Sequence, residues 1–117
     1  MSKDVRTMHN DLLAGMGALG AERGNVAGAF SAFVRESKTT GPLDAKTKEL
    51  IGIAIAVYAR CEYCIAYHVN CAFQSGATRE EILDAAMTSM VYGGSPTMAY
   101  ISAVLMPCLD EFDPNKK

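Results

Sequence analysis

Leu50-Ile51-Gly52-Ile53-Ala54-Ile55-Ala56-Val57-Tyr58-Ala59-Arg60-Cys61-Glu62-Tyr63-Cys64-Ile65-Ala66-Tyr67-His68 is the stretch that decides the fold of this chain. Its first part, Leu50 to Ala59, is apolar on every side of a helix, which marks a central, buried helix rather than an amphipathic one. Its second part spaces two cysteines and a histidine by three and four residues, so that Cys61, Cys64 and His68 share one helical face. A single helix from Asp44 to Ser75 would be unusually long for a small domain. The reading therefore places a break near Arg60-Cys61, although no Gly or Pro marks it. The cysteines then open a new helix, where unpaired backbone N–H groups and the helix dipole favour a thiolate.

Helical spacing continues outward in both directions, and no stretch alternates apolar and polar residues as a strand would. Upstream, residues 4–19 place Val5, Met8, Leu12, Leu13 and Met16 on one face, with Gly20 and Gly24 marking the stop. Residues 25–38 bring Val26, Phe30, Phe33 and Val34 together, and Thr39-Thr40-Gly41-Pro42 ends that helix. Asp44 is the expected N-cap of the next. Glu49 stands at the polar edge of the apolar run. Downstream, Gly76 stops the cysteine helix, and Thr78-Arg79-Glu80-Glu81 has the form of a capping box. It opens a helix through Ile82, Ala86, Met90 and Val91 that Gly93-Gly94 should close. Ser95-Pro96 starts a last helix through Met98, Ile101, Leu105 and Met106, with Pro107 expected to kink or end it and residues 113–117 left as a tail. The expectation is an all-α fold: one domain spanning residues 1–117, built from about six helices.

Composition narrows the function. Half of the 117 residues are hydrophobic, which suits a real core and leaves apolar surface for an oligomer, and 11 basic against 13 acidic residues give a net charge of −2. No basic cluster exists to neutralise phosphates, so nucleic-acid binding is excluded. The N-terminal Met-Ser-Lys-Asp-Val-Arg lacks the apolar run of a signal peptide or membrane span, so no membrane partner and a cytoplasmic location are expected. In a reducing compartment, four cysteines read as reactive, metal-binding or buried thiols rather than as a disulfide framework.

A Cys-x-x-Cys pair beside a base is redox equipment: the thiolate is the nucleophile, and histidine can take the thiol proton or stabilise the charge. Other uses of the motif fit less well. Haem attachment needs a histidine directly after the second cysteine, where Ile65 stands. A zinc site using Cys61, Cys64, His68 and Cys71 on one helix would spread its ligands over roughly 15 Å, although a partial site with an outside ligand is compatible with the spacing. A thioredoxin-like motif follows a strand, whereas a helical segment precedes this one. The bland alternative makes both cysteines small buried hydrophobes. Glu49, read from the residues alone, is a solvated charge in the first turns of a helix.

Glu49, then Cys61-x-x-Cys64-x-x-x-His68, then Gly76-Ala77-Thr78-Arg79-Glu80-Glu81-Ile82 closely resembles the carboxymuconolactone decarboxylase and alkylhydroperoxidase D superfamily. The match covers about residues 25–110 in organisation and is sharpest from Glu49 to Ile82. The resemblance implies an all-helical domain that forms homotrimers or homohexamers, with the active-site helix near a subunit interface. It also implies that Glu49 and His68 form a proton relay to Cys61 and Cys64, and that the dithiol reduces a hydroperoxide or exchanges with a protein disulfide before an external dithiol restores it. On that basis burial should raise the pKa of Glu49, making it a proton acceptor, while Cys64, one turn before His68, attacks and Cys61 resolves. Tyr63, where some members carry histidine, is expected to wall the substrate pocket. Cys71 and Cys108 are expected to be structural, and Met87, Met90, Met98 and Met106 to fill the core or an interface. No metal or cofactor is called for. Two rival functions stand beside this one: a decarboxylase-type lyase acting on a small lactone acid, though such members generally lack the cysteine pair, and a non-catalytic helical assembly protein.

Overall fold

The computed structural model describes residues 4–116. Seven α-helices follow one another: α1 (Val5–Glu22), α2 (Gly24–Thr39), α3 (Ala45–Tyr58), α4 (Glu62–Gln74), α5 (Arg79–Thr88), α6 (Met90–Tyr100) and α7 (Met106–Phe112), with a π-helical turn, Ile101–Leu105, joining the last two. The described residues contain no strand. The all-α expectation holds, with the last expected helix realised as α6, the π turn and α7 in continuous succession.

The core forms where α3, α4, α5, the π turn and α7 meet. Ile53, Val57, Ile65, Val69, Ile82, Leu105 and Leu109 are completely buried there, and each such side chain contributes about 1.5–3 kcal/mol relative to exposure. The step from α3 to α4 is made by a tight turn. Arg60 N–H donates to Val57 O and Cys61 N–H donates to Ala56 O, the paired bonds of a Schellman cap, and Arg60 takes the left-handed conformation (φ 58°) that such a cap requires. The break thus falls at Arg60-Cys61 as the length argument demanded, with arginine where glycine is the usual choice.

Other boundaries follow from named residues. Asp44 accepts from Thr47 N–H at 2.8 Å and starts α3. Thr78 and Glu81 form both halves of the capping box at the start of α5. α5 ends at Thr88 rather than at the paired glycines. The interruption expected there falls inside α6, where Gly94 adopts φ 65° and ψ −146°, just ahead of Pro96. Pro107 does not end the chain's last helical run, which continues to Phe112. The π turn immediately before it widens the hydrogen-bond ladder at the place where a proline has no N–H to give and its ring needs room.

Burial divides the apolar faces and overturns the all-round burial expected of α3. On α1 only Val5, Met8 and His9 are buried, so Leu13 and Met16 leave the core, and α2 has no buried residue at all. The start of α1 packs into the core and the end of α2 is held against α3, but the rest of the α1–α2 hairpin is open, with Phe30 and Phe33 exposed by 66% and 68%. Helix α3 is not buried all round either: Ile53, Ala56 and Val57 face the core, whereas Ile55 is 60% exposed with Ile51 and Tyr58 beside it. Among the methionines, Met90 and Met106 pack against the core, but Met87 and Met98 face outward. The accessible surface, 7314 Å², exceeds the roughly 6,200 Å² expected of a folded monomer of this mass. One chain is too small to cover every apolar face its sequence supplies.

Candidate active site

Cys61 is the N-cap of α4, and its sulfur accepts from Cys64 N–H at 3.2 Å, the bond a serine or threonine oxygen makes at that position. Cys64 follows in the first turn, and the two sulfurs are joined in a disulfide. His68 is one turn further along α4, which brings its Cβ within about 6 Å of that of Cys64. Both cysteines are partly exposed, so the bond is accessible at the helix start.

The other half of the site comes from α3. Glu49 is only 5% exposed, which corrects its reading as a solvated charge. Its Oε1 accepts from His68 Nδ1 at 2.8 Å, and its Oε2 receives the Lys38 ammonium at 2.7 Å. One turn along α3, Gly52 lets the imidazole lie against the helix: a Cβ there would stand 3.2 Å from His68 Nδ1. Tyr67 meets the His68 ring edge-on with centroids 5.3 Å apart. On its other side Tyr67 stacks with His9, centroids 6.3 Å apart, and the Asn70 amide donates to His9 Nε2 at 3.3 Å.

Charge fixes the role that the Glu49 carboxylate can play. Burial pushes its pKa up, but hydrogen bonds from His68 and Lys38 and their charges outweigh that push, and the carboxyl lies below its ordinary value. The expectation of a raised pKa is therefore reversed, because burial came with two donors rather than with an apolar wall. Glu49 stays ionised, so its carboxylate can only accept and the proton between the two groups sits on His68 Nδ1. Burial likewise opposes the Lys38 ammonium, yet the Glu49 hydrogen bond and charge leave its pKa raised.

Cys71, half-buried and one turn past His68, is pushed up by burial and then by the negative charge of Glu49. Cys108 is fully buried and is pushed up to about 12 by desolvation. Neither is poised as a nucleophile. Tyr63 is 38% exposed and lines an open groove of about 350 Å³ with Asp11, Leu12, Gly15, Met16 and Leu19 of α1. A second groove of about 400 Å³, between Ile55, Tyr58 and Tyr92, lies on the exposed face of α3 and includes none of these polar residues. Among the described residues, no helix is long and apolar enough to cross a membrane.

The structure brings Glu49 and His68 into contact and places Cys64 one turn and the N-cap Cys61 two turns before His68. Sequence reading missed Lys38 and Gly52. A lysine in the last turn of an exposed helix carries no sequence signal that sets it apart from any solvated charge, and only the packing of α3 on α4 gives Gly52 meaning.

The site thus joins a buried carboxylate, a part-buried imidazole and a disulfide at a helix start on an all-helical scaffold. Residues 25–106 match the model of the Carboxymuconolactone decarboxylase family, and the chain belongs to that family. An uncharacterized protein of Cupriavidus necator is 31% identical over 105 residues, covering 90% of this chain and 93% of that protein. Uncharacterized protein 4 in the cox locus of Paracoccus denitrificans is 32% identical over 100 residues, 86% of this chain and 89% of that one. A solved carboxymuconolactone decarboxylase family protein from Legionella pneumophila superposes with a TM-score of 0.88 at 31% identity, over 95% of this chain and 98% of that one. A Thermotoga maritima member, described as a candidate for a role in the antioxidative response, gives 0.75 at 27% identity over 86% of each chain.

Proposed function

We propose that the protein is a thiol-dependent oxidoreductase that reduces hydroperoxides, or exchanges with protein disulfides, through Cys61 and Cys64, with His68 and Glu49 managing protons. The observation that carries this reading is the Cys61–Cys64 disulfide one turn from an imidazole anchored at 2.8 Å to a buried carboxylate. In the reduced protein the Cys64 thiol gives its proton to His68 Nε2, and the Glu49 carboxylate stabilises the imidazolium through Nδ1–H. Glu49 thus orients and stabilises rather than accepting the proton itself. The thiolate attacks the outer peroxide oxygen: an S–O bond forms, the O–O bond breaks, and the alcohol departs with the proton from His68. Cys61 then attacks the sulfenic acid, forming the disulfide and releasing water. Two thiols and one hydroperoxide become one disulfide, one alcohol and one water. Two exchange steps with an external dithiol, of the kind a cytoplasmic setting supplies, close the cycle.

Tyr63 and the apolar residues of α1 form the wall along which an organic hydroperoxide reaches the sulfurs. The exposed apolar faces of α1–α2 and α3 support a homo-oligomer, a trimer or hexamer, as the working form. The test is a thiol count by peptide mass before and after a hydroperoxide dose. Wild type should lose the Cys61 and Cys64 thiols together, and Cys64→Ser should form no disulfide between these positions. Thiols that stay reduced while the protein decarboxylates a lactone acid would overturn the reading in favour of a lyase.

A further inference from the structure

The carboxylate of Glu49 is held from two sides, and only one of them belongs to the core. Lys38 comes from the last turn of α2, a helix whose every residue is at least partly exposed. That turn is nevertheless fixed in place: Lys48 of α3 donates to the carbonyls of Ser37 and Thr40, so the adjacent residues Lys48 and Glu49 grip the end of α2 together. The Lys38 ammonium also lies 5.4 Å from the centre of the Tyr67 ring. A lysine at a helix end normally keeps its rotamer freedom in water. This one is directed inward by two partners, the Glu49 carboxylate and the Tyr67 ring.

We infer that Lys38 is a positioning residue of the redox site, an ammonium delivered by the α1–α2 hairpin that fixes Glu49 with Oε1 toward His68 and supplies the positive charge against which the dithiol loses its proton. The inference rests on the oxidoreductase reading above and names a part of the same site. Lys38 touches neither sulfur nor substrate and acts through Glu49.

The charged and titratable groups facing Glu49 are Lys38 from α2 and Tyr67, His68 and Cys71 from α4. Tyr67, raised by the neighbouring Cys71 and by burial, stays neutral near physiological pH, as does Cys71. Lys38 is therefore the positive counterpart to a buried negative charge. Without it, every proton-binding group in the cluster holds its proton more tightly, because one positive charge has left a poorly solvated site.

The experiment is alkylation of the reduced full-length protein by iodoacetamide from about pH 5 to 10, reading the modified Cys64 peptide by mass, since the reagent reports thiolate directly. Lys38→Met should move the midpoint upward by roughly 0.5–1 pH unit, and Lys38→Arg should restore most of it. Lys38→Gln keeps a hydrogen-bond donor without the charge, serves where the Met variant does not fold, and should shift the same way. Merely structural loosening would lower the rate without moving the midpoint. Profiles of folded Met or Gln variants that superimpose on wild type would overturn the role of Lys38. A wild-type protein that alkylates normally but ignores hydroperoxides and disulfides would instead overturn the oxidoreductase reading, so the two failures are separable.

Discussion

The α3–α4 pair and the α1–α2 hairpin both carry apolar side chains, yet they place them in opposite ways. In α3–α4, Ile53, Val57, Ile65 and Val69 are wholly buried against one another, and Glu49 and His68 meet beside that packed interior. In the hairpin, Val26, Phe30 and Phe33 face outward, and none of the described residues covers them. A site needs side chains held within fractions of an ångström, which dense packing supplies. An exposed apolar hairpin is unfavourable in water unless another surface takes it up. The two regions meet where His9 of α1 lies against Tyr67 and Asn70 and where Lys38, from the exposed part, reaches Glu49 in the ordered one.

Breaking the ordered half should have the largest effect. Glu49→Gln removes the carboxylate that orients His68 and leaves Lys38 without its counter-ion, and the rate of thiol oxidation by hydroperoxide should fall roughly 10–100-fold. The same variant carries a pH signature. The Glu49 pKa is lower in the folded protein than its ordinary value of 4.5, so wild type has a stabilising contribution that is fully present above that value and is lost as pH falls through the folded value. Acid denaturation followed by circular dichroism should show this loss in wild type and not in Glu49→Gln.

The exposed half should respond in mass rather than in rate of chemistry per folded chain. Phe30→Ser combined with Phe33→Ser removes two rings that bury little in their own chain. Sedimentation should show a smaller assembly while far-ultraviolet circular dichroism stays helical. An unchanged mass would remove the hairpin from the interface.

Two smaller changes sharpen the contrast. Gly→Ala inside a helix normally stabilises by about 0.5–1 kcal/mol, but at Gly52 the new methyl would meet His68 Nδ1 at 3.2 Å. Gly52→Ala should therefore lower the oxidation rate several-fold with little gain in Tm, measured side by side. Arg60→Gly replaces a residue at φ 58° by the one that adopts that conformation without strain. It should be neutral to stabilising by up to about 1 kcal/mol in urea unfolding.

Much of this was legible in the sequence, for identifiable reasons. Helices declare themselves through spacing and caps, and Asp44, Thr78 and Glu81 act where their chemistry said they would. The break at Arg60-Cys61 was legible only from length, because the left-handed residue there is an arginine. The outward faces of α1, α2 and α3 were not legible, since an apolar face looks the same whether its own chain or a partner covers it. At the site, the spacing of Cys61, Cys64 and His68 was plain, while the charge state of Glu49 depended on Lys38, a partner eleven positions upstream that only the folded packing brings within 2.7 Å.

The most direct measurement of the central claim is a stoichiometry: reduced protein mixed with limiting tert-butyl hydroperoxide, with peroxide consumed, alcohol formed and the Cys61 and Cys64 thiols counted together. Two thiols lost for each peroxide turned into alcohol, with the new disulfide between Cys61 and Cys64, is the predicted result. Peroxide left unreacted while both thiols stay free would contradict it.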